Sequence, residues 1–161
     1  MSNKVVSLSE LPAHVKKIRA GGRKVVATNG CFDLLHAGHV RYLKAARELG
    51  DILVVGLNGN ASVRELKGEG RPLSDEKDRA EVLAALEPVD LVTIFPELRA
   101  TGFLEAVTPD IYVKGGDYNS NTLNAEERAV LEKVGAKIDI VPFEKGYSTT
   151  CIIEKLRGIA K

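Results

Sequence analysis

Two of the three histidines of this chain, His36 and His39, lie within one four-residue segment of the form His-x-Gly-His. The apolar run at residues 24–28 predicts a buried strand just before them, and the spacing from Gly38 onward predicts a helix. The first turn of a helix carries free N–H groups and a partial positive charge, which together attract anions. Two imidazoles on that turn can stabilise the charge that builds on an α-phosphate and its pyrophosphate leaving group. The segment therefore predicts a nucleoside triphosphate site, in which Gly38 lets a phosphate approach the backbone.

A zinc site is the alternative interpretation of paired histidines. It fails on the number of ligands, because no further histidine lies nearby and Cys31 alone would not complete a tetrahedral set. The third histidine, His14, is predicted to be structural. No GxGxxG fingerprint follows a strand and no GxxxxGK[ST] loop occurs, so the two usual phosphate cradles are not predicted.

A second candidate segment, residues 67–72, holds two cations and two glycines. Lys67 offers a mobile point charge and Arg71 a bidentate guanidinium, so the segment is predicted to be a flexible loop that closes over a triphosphate. An ordinary solvated loop is the alternative. Arg79, on the following helix, could reach the same phosphates, although a surface salt bridge explains it almost as well.

Two later segments also carry candidate ligands. Residues 114–117 end a predicted strand with a lysine, two glycines and an aspartate, which suits contact with the base or ribose of a nucleotide; a tight turn is the alternative. Residues 148–150 begin the last predicted helix with three hydroxyls. Ser148 is a good N-cap, and capping alone would justify it, but a capped helix start with three hydroxyls is also a phosphate-binding arrangement.

Predicted strands and helices alternate along the chain. Strands are predicted at residues 24–28, 52–57, 90–95, 110–113 and 137–141. Helices are predicted within an N-terminal extension, 1–22, and at residues 38–49, 78–86, 99–107, 124–134 and 148–157; residues 58–77 are predicted to be a polar connection. The alternation predicts one α/β domain over residues 1–161, with a parallel five-stranded sheet, right-handed crossovers and helices on both faces.

In such a sheet, ligands bind beyond the carboxyl ends of the strands. His36 follows the first predicted strand, Lys67 the second, Gly115 the fourth and Ser148 the fifth. Because these strand ends share one edge of the sheet, the four segments are expected to converge on a single site.

The charge of the chain is nearly balanced, with 23 Lys and Arg against 22 Asp and Glu and a formal net charge of +1. This gives no support for a nucleic-acid or membrane-surface partner. No apolar run approaches the roughly 20 residues that span a bilayer, and no signal peptide is recognisable. Cys31 and Cys151 fit neither a disulfide framework nor a CxxC metal pattern. The expected location is the cytoplasm.

Five stretches together resemble the HxGH nucleotidyltransferase superfamily, whose cytidylyltransferase-like members share a small Rossmann-like α/β fold. They are residues 28–40, 66–72, 86–90, 113–118 and 146–150. The resemblance extends over nearly everything from Lys24 to Arg157. Within the superfamily, the set is most similar to the heptose 1-phosphate adenylyltransferases.

This resemblance implies that ATP and D-glycero-β-D-manno-heptose 1-phosphate, with Mg²⁺, give ADP-heptose and pyrophosphate for lipopolysaccharide core or another cell-surface heptose. It implies that His36 and His39 bind the triphosphate and stabilise the transition state. It also implies that Lys67 neutralises the α-phosphate and helps to hold the sugar phosphate. The implied nucleotide-binding residues are Asn29, Gly30, Cys31, Phe32, Asp33, Gly38, Arg71, Arg79, Lys114, Gly115, Gly116, Asp117, Ser148, Thr149 and Thr150.

Two departures from related enzymes bear on the acceptor and the partners. Glycerol-3-phosphate cytidylyltransferases have an RTxGxSTT pattern before the last helix, whereas residues 143–150 here read FEKGYSTT, without the leading arginine. This favours the heptose branch. Heptose adenylyltransferases often follow a sugar kinase domain; only 23 residues precede the first strand here, so a separate sugar kinase is expected to supply the sugar 1-phosphate. Related transferases are commonly dimers, which implies a homodimer.

Two alternatives stay open at this point. One is a CTP-dependent cytidylyltransferase that acts on glycerol 3-phosphate or another small alcohol phosphate. The other, from a different class, is a nucleotide-binding sensor that has lost turnover. The presence of both histidines and Lys67 speaks against the sensor.

Overall fold

Five parallel strands form one sheet in the computed structural model, which describes residues 3–116, 123–142 and 146–159. The strands are β1 (Val25–Gly30), β2 (Ile52–Asn58), β3 (Leu91–Phe95), β4 (Ile111–Gly115) and β5 (Lys137–Val141). Their order across the sheet is β3-β2-β1-β4-β5. The predicted parallel five-stranded α/β sheet is therefore confirmed.

The strand order changes direction at β1, which pairs with β2 on one side and with β4 on the other. Ala27, for example, is in register with Val54 of β2 and with Tyr112 of β4. In open α/β sheets the crevice outside the carboxyl ends of two such strands is the usual ligand site. The topology thus places a crevice beyond the ends of β1 and β4.

Helices cover both faces of the sheet, as predicted. They are α1 (Leu11–Ala20), α2 (Ala37–Arg47), α3 (Asn60–Lys67), α4 (Glu76–Ala84), α5 (Thr101–Val107), α6 (Ala125–Val134) and α7 (Thr149–Ile159). Helices α1, α5 and α6 pack on one face, and α2 and α4 pack on the other.

Successive side chains of each strand point to opposite faces of the sheet, so the sheet has one apolar core on each face. Val25 and Ala27 of β1 face α1 and α5, whereas Val26 between them faces α2. Every residue of β2 is buried, which explains why residues 52–57 form an uninterrupted apolar run. The two cores hold the carboxyl ends of the strands at one edge, where the candidate residues lie.

The structure differs from prediction at residues 58–77, where the sequence predicts only a polar connection. Helix α3 lies there, and Lys67 is its last residue rather than part of a flexible loop. Helix α3 is only eight residues long and buries only Ser62 and Val63, so its helical periodicity extends over too few residues to be recognised in the sequence.

The N-terminal segment also joins the sheet. Val5 forms a parallel bridge with Val92 of β3, and the Val92 N–H donates to the Lys4 carbonyl. Leu11 and Val15 of α1 are buried in the core beside α5. The predicted helix within residues 1–22 therefore packs directly on the sheet. No helix in the described part of the chain is long and apolar enough to cross a membrane.

Candidate active site

A cleft of about 670 Å³ opens at the carboxyl ends of β1, β2 and β4. The predicted residues that line it are Asn29, Gly30, Cys31, Phe32, Asp33, His36, His39, Lys67, Arg71, Lys114, Gly115, Ser148, Thr149 and Thr150. Gly38, Arg79 and Gly116 lie outside this lining, and Asp117 falls outside the described residues. The four segments that the sequence predicts at one sheet edge meet in one cleft.

His36 and His39 stack on each other at the start of α2. Their ring centroids are 3.9 Å apart and their planes are inclined by 31°. Phe32 packs against His39, with the two centroids 5.5 Å apart. The Nδ1 atoms of both histidines are buried and have no hydrogen-bond partner in the described part of the chain. Buried polar atoms without partners are costly, so these two nitrogens are candidates for contact with a ligand.

Burial keeps both imidazoles neutral. Burial and, secondly, the charge of His36 lower the pKa of His39 from 6.5 to about 4. Burial also lowers the pKa of His36. At neutral pH each ring therefore has one N–H donor and one acceptor nitrogen. A bound polyphosphate would raise both pKa values, because it favours the charged imidazolium.

This depressed pKa predicts a pH dependence of stability. The unfolded chain takes up a proton at His39 near its ordinary pKa of 6.5, whereas the folded chain does so only near pH 4. Stability is therefore lost as the pH falls from 6.5 towards 4, by about 1–2 kcal/mol between pH 7 and pH 5. Urea unfolding of the wild type and of His39→Asn at both pH values measures this. The variant should lack that part of the pH dependence, and identical pH profiles would contradict the expectation.

The start of α2 is open to an anion. His36 is the N-cap residue with an extended backbone, and its side chain makes no capping hydrogen bond. The first-turn N–H groups therefore have no side-chain cap that a phosphate would have to displace. The side chains of His36 and His39 line the same cleft, so the helix start and the two imidazoles are candidate contacts for one anion.

Gly38 has a second role that the sequence did not indicate. A Cβ at this position would lie 2.8 Å from Tyr147 Cβ and 3.0 Å from the His36 ring. Tyr147 in turn stacks beneath Arg41, whose guanidinium carbon lies 5.0 Å from the ring centroid. The glycine thus allows the segment before α7 to pack directly on the histidine turn.

Gly38→Ala is expected to reduce kcat/KM about tenfold or more, because the methyl group displaces the His36 ring or Tyr147 from the cleft. Steady-state kinetics with both substrates would measure the loss. Gly158→Ala is the matched control, since a Cβ there meets nothing within 4 Å on α7. It should retain full activity and gain a few tenths of a kcal/mol of stability. Equal activity of the two variants would contradict the proposed packing role.

The segment after β1 is held by Asp33, whose side chain is 1% exposed. Its Oδ2 accepts a hydrogen bond from Arg71 Nε, and its Oδ1 accepts from the N–H groups of Leu73 and Ser74 at 2.7 and 3.2 Å. Asp33 lines the cleft, but its contact with the nucleotide stays a prediction. The three hydrogen bonds show that it holds Arg71 at the cleft, where the terminal guanidinium nitrogens can contact a phosphate.

Lys67 lines the cleft from the end of α3, and its side chain is exposed. Gly68 ends this helix with φ of 89°, a conformation that glycine adopts without strain. The charge of Lys67 acts on Cys31, but burial outweighs it and raises the pKa of that thiol. Cys31 therefore stays protonated at neutral pH, and Lys67 is the mobile cation at this side of the cleft.

The structure corrects both interpretations of Arg79. Its side chain is neither on the surface nor in the cleft lining; the residue is 3% exposed. Nη1 donates to the carbonyls of Cys31 and Asn58 at 2.6 and 2.9 Å. Nε donates to the Ser74 carbonyl at 3.0 Å, and Nη2 donates to Asn60 Oδ1 at 2.9 Å. Arg79 thus ties the ends of β1 and β2 to the segment that carries Arg71.

On the other side of β1, a chain of hydrogen bonds orients Asn29. Lys114 Nζ lies 3.4 Å from the Tyr112 hydroxyl, which donates to Asn29 Oδ1 at 2.5 Å. Tyr112 is fully buried, and burial lowers the pKa of Lys114. Gly116 donates its N–H to the Val141 carbonyl, so the predicted glycine turn after β4 is pinned to β5.

The start of α7 shows one of the two roles that the sequence left open, the helix cap; phosphate binding there stays a prediction. Ser148 Oγ accepts the Cys151 N–H at 3.0 Å, so this residue caps the helix. Thr149 donates its hydroxyl to the Leu34 carbonyl at 3.1 Å and thereby joins α7 to the histidine turn. Thr150 lines the cleft, and the capped helix start faces the same space as His36.

Sequence reasoning missed several residues of the cleft. They are Tyr42, Asn58, Leu66, Leu98, Arg99, Leu123, Asn124, Glu127 and Tyr147. One signal could have found two of them, because Leu98 and Arg99 follow the carboxyl end of β3, the predicted strand to which no candidate was assigned. Glu127, on α6, has no such signal.

The residues of this cleft lie within a region that is similar to a known protein family. A family model described as cytidylyltransferase-like matches residues 27–155, which include the histidine turn, Lys67 and the start of α7. The chain belongs to the cytidylyltransferase-like family. The matched region contains all five strands of the sheet except the first two residues of β1.

Curated relatives of this cytidylyltransferase-like chain carry the name bifunctional protein HldE. The protein from Geotalea uraniireducens is 51% identical over 154 residues, which cover 96% of this chain and 31% of the relative. The one from Trichlorobacter lovleyi is 52% identical over 138 residues, covering 86% and 28%. The chain thus spans about a third of the length of these relatives.

Solved structures give the same fold. A lipopolysaccharide core biosynthesis protein from Thermoplasma volcanium is 32% identical, with a TM-score of 0.64, over 79% of this chain and 100% of that one. Pantoate-beta-alanine ligase from Francisella tularensis is 13% identical, with a TM-score of 0.58, over 97% and 77%. The latter likeness shows the cytidylyltransferase-like fold alone.

Proposed function

We propose that this cytidylyltransferase-like chain transfers AMP from ATP to a sugar 1-phosphate, D-glycero-β-D-manno-heptose 1-phosphate, and releases pyrophosphate. The observation that carries the proposal is the pair of stacked, neutral histidines with unpartnered Nδ1 atoms at the uncapped start of α2. They occupy one cleft with Lys67, Arg71 and the start of α7. This set of neutral donors and cations suits a polyphosphate whose charge shifts during reaction.

In the proposed reaction a phosphate oxygen of the sugar attacks the α-phosphorus of ATP in line. The new bond joins that oxygen to the α-phosphorus, and the bond from the α-phosphorus to the α–β bridging oxygen breaks, so that pyrophosphate carries away the electron pair. A sugar phosphate is already anionic at neutral pH, so no strong general base is required. Catalysis rests on positioning and on the stabilisation of charge by His36, His39 and Lys67.

The side chains that line the cleft bear on which groups would bind Mg²⁺ in the proposed reaction. The oxygens of Asp33 already accept three hydrogen bonds, and the described residues contain no group of three His, Cys, Asp or Glu side chains that could hold a metal ion. Mg²⁺ commonly binds through substrate phosphates and retains several waters. The residues present fit a cation that arrives with the triphosphate and neutralises part of its charge.

The choice of ATP and a heptose phosphate is supported by the resemblance to heptose 1-phosphate adenylyltransferases. Identities of 47–52% to relatives named HldE, over most of this chain, agree with it. So does the name of the 32% identical lipopolysaccharide core biosynthesis protein. A cytoplasmic location, a homodimer and a separate sugar kinase that supplies the sugar 1-phosphate belong to the same proposal.

A matrix of the four nucleoside triphosphates against several acceptor phosphates tests the function. Pyrophosphate release is measured with heptose 1-phosphate, hexose 1-phosphates and glycerol 3-phosphate, and without acceptor. The proposal expects the fastest release with ATP and the heptose phosphate. It is wrong if this acceptor does not accelerate pyrophosphate release from ATP above the rate without acceptor.

The second candidate is a cytidylyltransferase, which the description of the matched family favours. It would act with CTP on glycerol 3-phosphate or another small alcohol phosphate. A preference for CTP in the same matrix would establish it. Tight nucleotide binding without pyrophosphate release from any pair would instead favour the sensor.

A further inference from the structure

One end of the cleft is lined by residues that the triphosphate does not require. It lies on the α5–α6 side of the sheet and is formed by Asn29, Lys114, Leu98, Leu123, Asn124 and Glu127. We infer that this end binds the hydroxyl groups of the acceptor sugar, with Glu127 accepting hydrogen bonds from them. The inference rests on the proposed function, because it assigns the acceptor half of the same cleft.

The alternation of strand residues separates the two ends. Thr28 Oγ1 lies 2.6 Å from the hydroxyl of Tyr42 on α2, so Thr28 faces the helix that carries the histidines. Asn29, the next residue of β1, faces the opposite side and accepts from Tyr112. Lys114 is two residues after Tyr112 on β4 and shares its face. Asn29 and Lys114 therefore belong with α5 and α6 rather than with the histidine turn.

Glu127 is a buried carboxylate in this end of the cleft, with 6% of its surface exposed. Its Oε1 accepts the Ala100 N–H at 3.0 Å, at the N-cap of α5. The second oxygen, Oε2, is left to accept from a ligand. The charge of Glu127 also acts on the ammonium of Lys114, so the two ions compensate each other in part. A buried carboxylate is costly unless it is paired, and this one lies beside a cleft in which a ligand can supply further donors.

The other polar groups at this end are donors. The Tyr112 hydroxyl fixes Asn29 Oδ1, so the amide Nδ2 of Asn29 can donate to a ligand. Asn124 Oδ1 accepts the N–H groups of Glu126 and Glu127 as the N-cap of α6, which leaves its Nδ2 to donate as well. Leu98 and Leu123 supply apolar surface beside them.

This combination suits a polyhydroxylated ligand. Each sugar hydroxyl both donates and accepts, so a carboxylate and amide N–H groups together can satisfy it, and the C–H surface of a sugar ring can lie on leucine side chains. A phosphate at this end would be repelled by the Glu127 carboxylate, so the cations Lys114 and Arg99, which also lines the cleft, do not by themselves make it a phosphate site. The inference therefore assigns Asn29 and Lys114 to the acceptor, whereas the sequence predicts that they contact the nucleotide.

The test is Glu127→Gln, which keeps an oxygen for the Ala100 N–H and removes the charge. With the sugar phosphate that the wild type uses, KM for the acceptor should rise about tenfold, which corresponds to about 1.4 kcal/mol. KM for ATP should change less than about twofold. Glu126→Gln is the matched control, because Glu126 is exposed, lies outside the cleft lining and carries the same charge.

Asn124→Ser provides an independent variant, since serine retains a capping oxygen for α6 but loses the amide donor. It should also raise KM for the acceptor and leave KM for ATP unchanged. Titration calorimetry of the acceptor in the absence of ATP gives a second measurement. Thermal unfolding identifies a variant that fails to fold. If Glu127→Gln fails to fold, the KM values of Asn124→Ser test the inference in its place.

An equal rise of KM for both substrates, or a rise for ATP alone, would place the nucleotide at this end and overturn the inference. Unchanged acceptor binding in the folded variants would also overturn it. Failure of the proposed function gives a different result, because the wild-type chain itself would then transfer AMP to no sugar phosphate.

Discussion

Replacing His39 with alanine is expected to lower kcat by about 10²–10³-fold, the usual cost of removing one donor to a developing charge. His39 is the more buried of the two imidazoles, and its ring contacts the rings of Phe32 and His36. In the proposed reaction these contacts hold His39 in place before ATP binds, which reduces the reorganisation needed when charge builds on the leaving pyrophosphate. The loss should lie in kcat more than in KM for ATP, because the interaction strengthens in the transition state.

The fold should tolerate this change. The imidazole has an unpartnered Nδ1 and lies at the cleft, so its removal is expected to shift the melting temperature by only a few degrees. Steady-state kinetics and thermal unfolding of the same preparation measure both effects. His14→Ala on α1, outside the cleft lining, is the control and should keep full activity. Loss of folding with normal specific activity in the surviving fraction would contradict the catalytic role of His39.

Replacing Arg79 with methionine is expected to lower the free energy of unfolding by about 3–5 kcal/mol, the usual cost of breaking a buried charged network. Methionine can fill much of the volume but cannot donate to the carbonyls of Cys31, Asn58 and Ser74, which would be left buried without their partner. These carbonyls lie at the ends of β1 and β2 and before α4. Their release should loosen the segment that holds Arg71 at the cleft.

Urea unfolding at neutral pH measures this loss. Arg64→Met is the matched control, because Arg64 is an exposed arginine of α3 outside the cleft lining, and it should change stability by less than about 0.5 kcal/mol. If Arg79→Met kept its stability but lost affinity for ATP, Arg79 would be a phosphate ligand after all. Such a result would contradict the buried positioning role derived from the geometry.

Local patterns were sufficient for most of the fold. The apolar run at residues 52–57 predicted a strand covered on both faces, and β2 is buried at every residue. The helical period from Gly38 onward predicts α2 after the first strand, and Ser148 is predicted to be an N-cap, where its Oγ accepts the Cys151 N–H. These predictions succeeded because spacing and capping depend on residues a few positions apart.

Helix α3 was missed for the same physical reason. Its sequence has one apolar buried residue, Val63, and the other buried one is Ser62. It is stabilised by contacts that come from elsewhere in the chain: Glu76 accepts the Asn60 N–H at 2.7 Å, and Arg79 donates to the Asn60 side chain. A pattern of hydrophobicity within the segment cannot report such contacts.

The sequence by itself determined the parallel α/β sheet and the end of the cleft proposed to bind a triphosphate, because a strand, a helix start and two histidines are close together in the chain. Only the tertiary structure shows the hydrogen bonds by which Arg79 and Asp33 hold the segments around the cleft, since their partners lie up to 48 residues away. It alone also placed Glu127 of α6 in the cleft that Asn29 of β1 lines. The acceptor end is therefore a product of packing, in which residues from distant segments meet where no local pattern marks them.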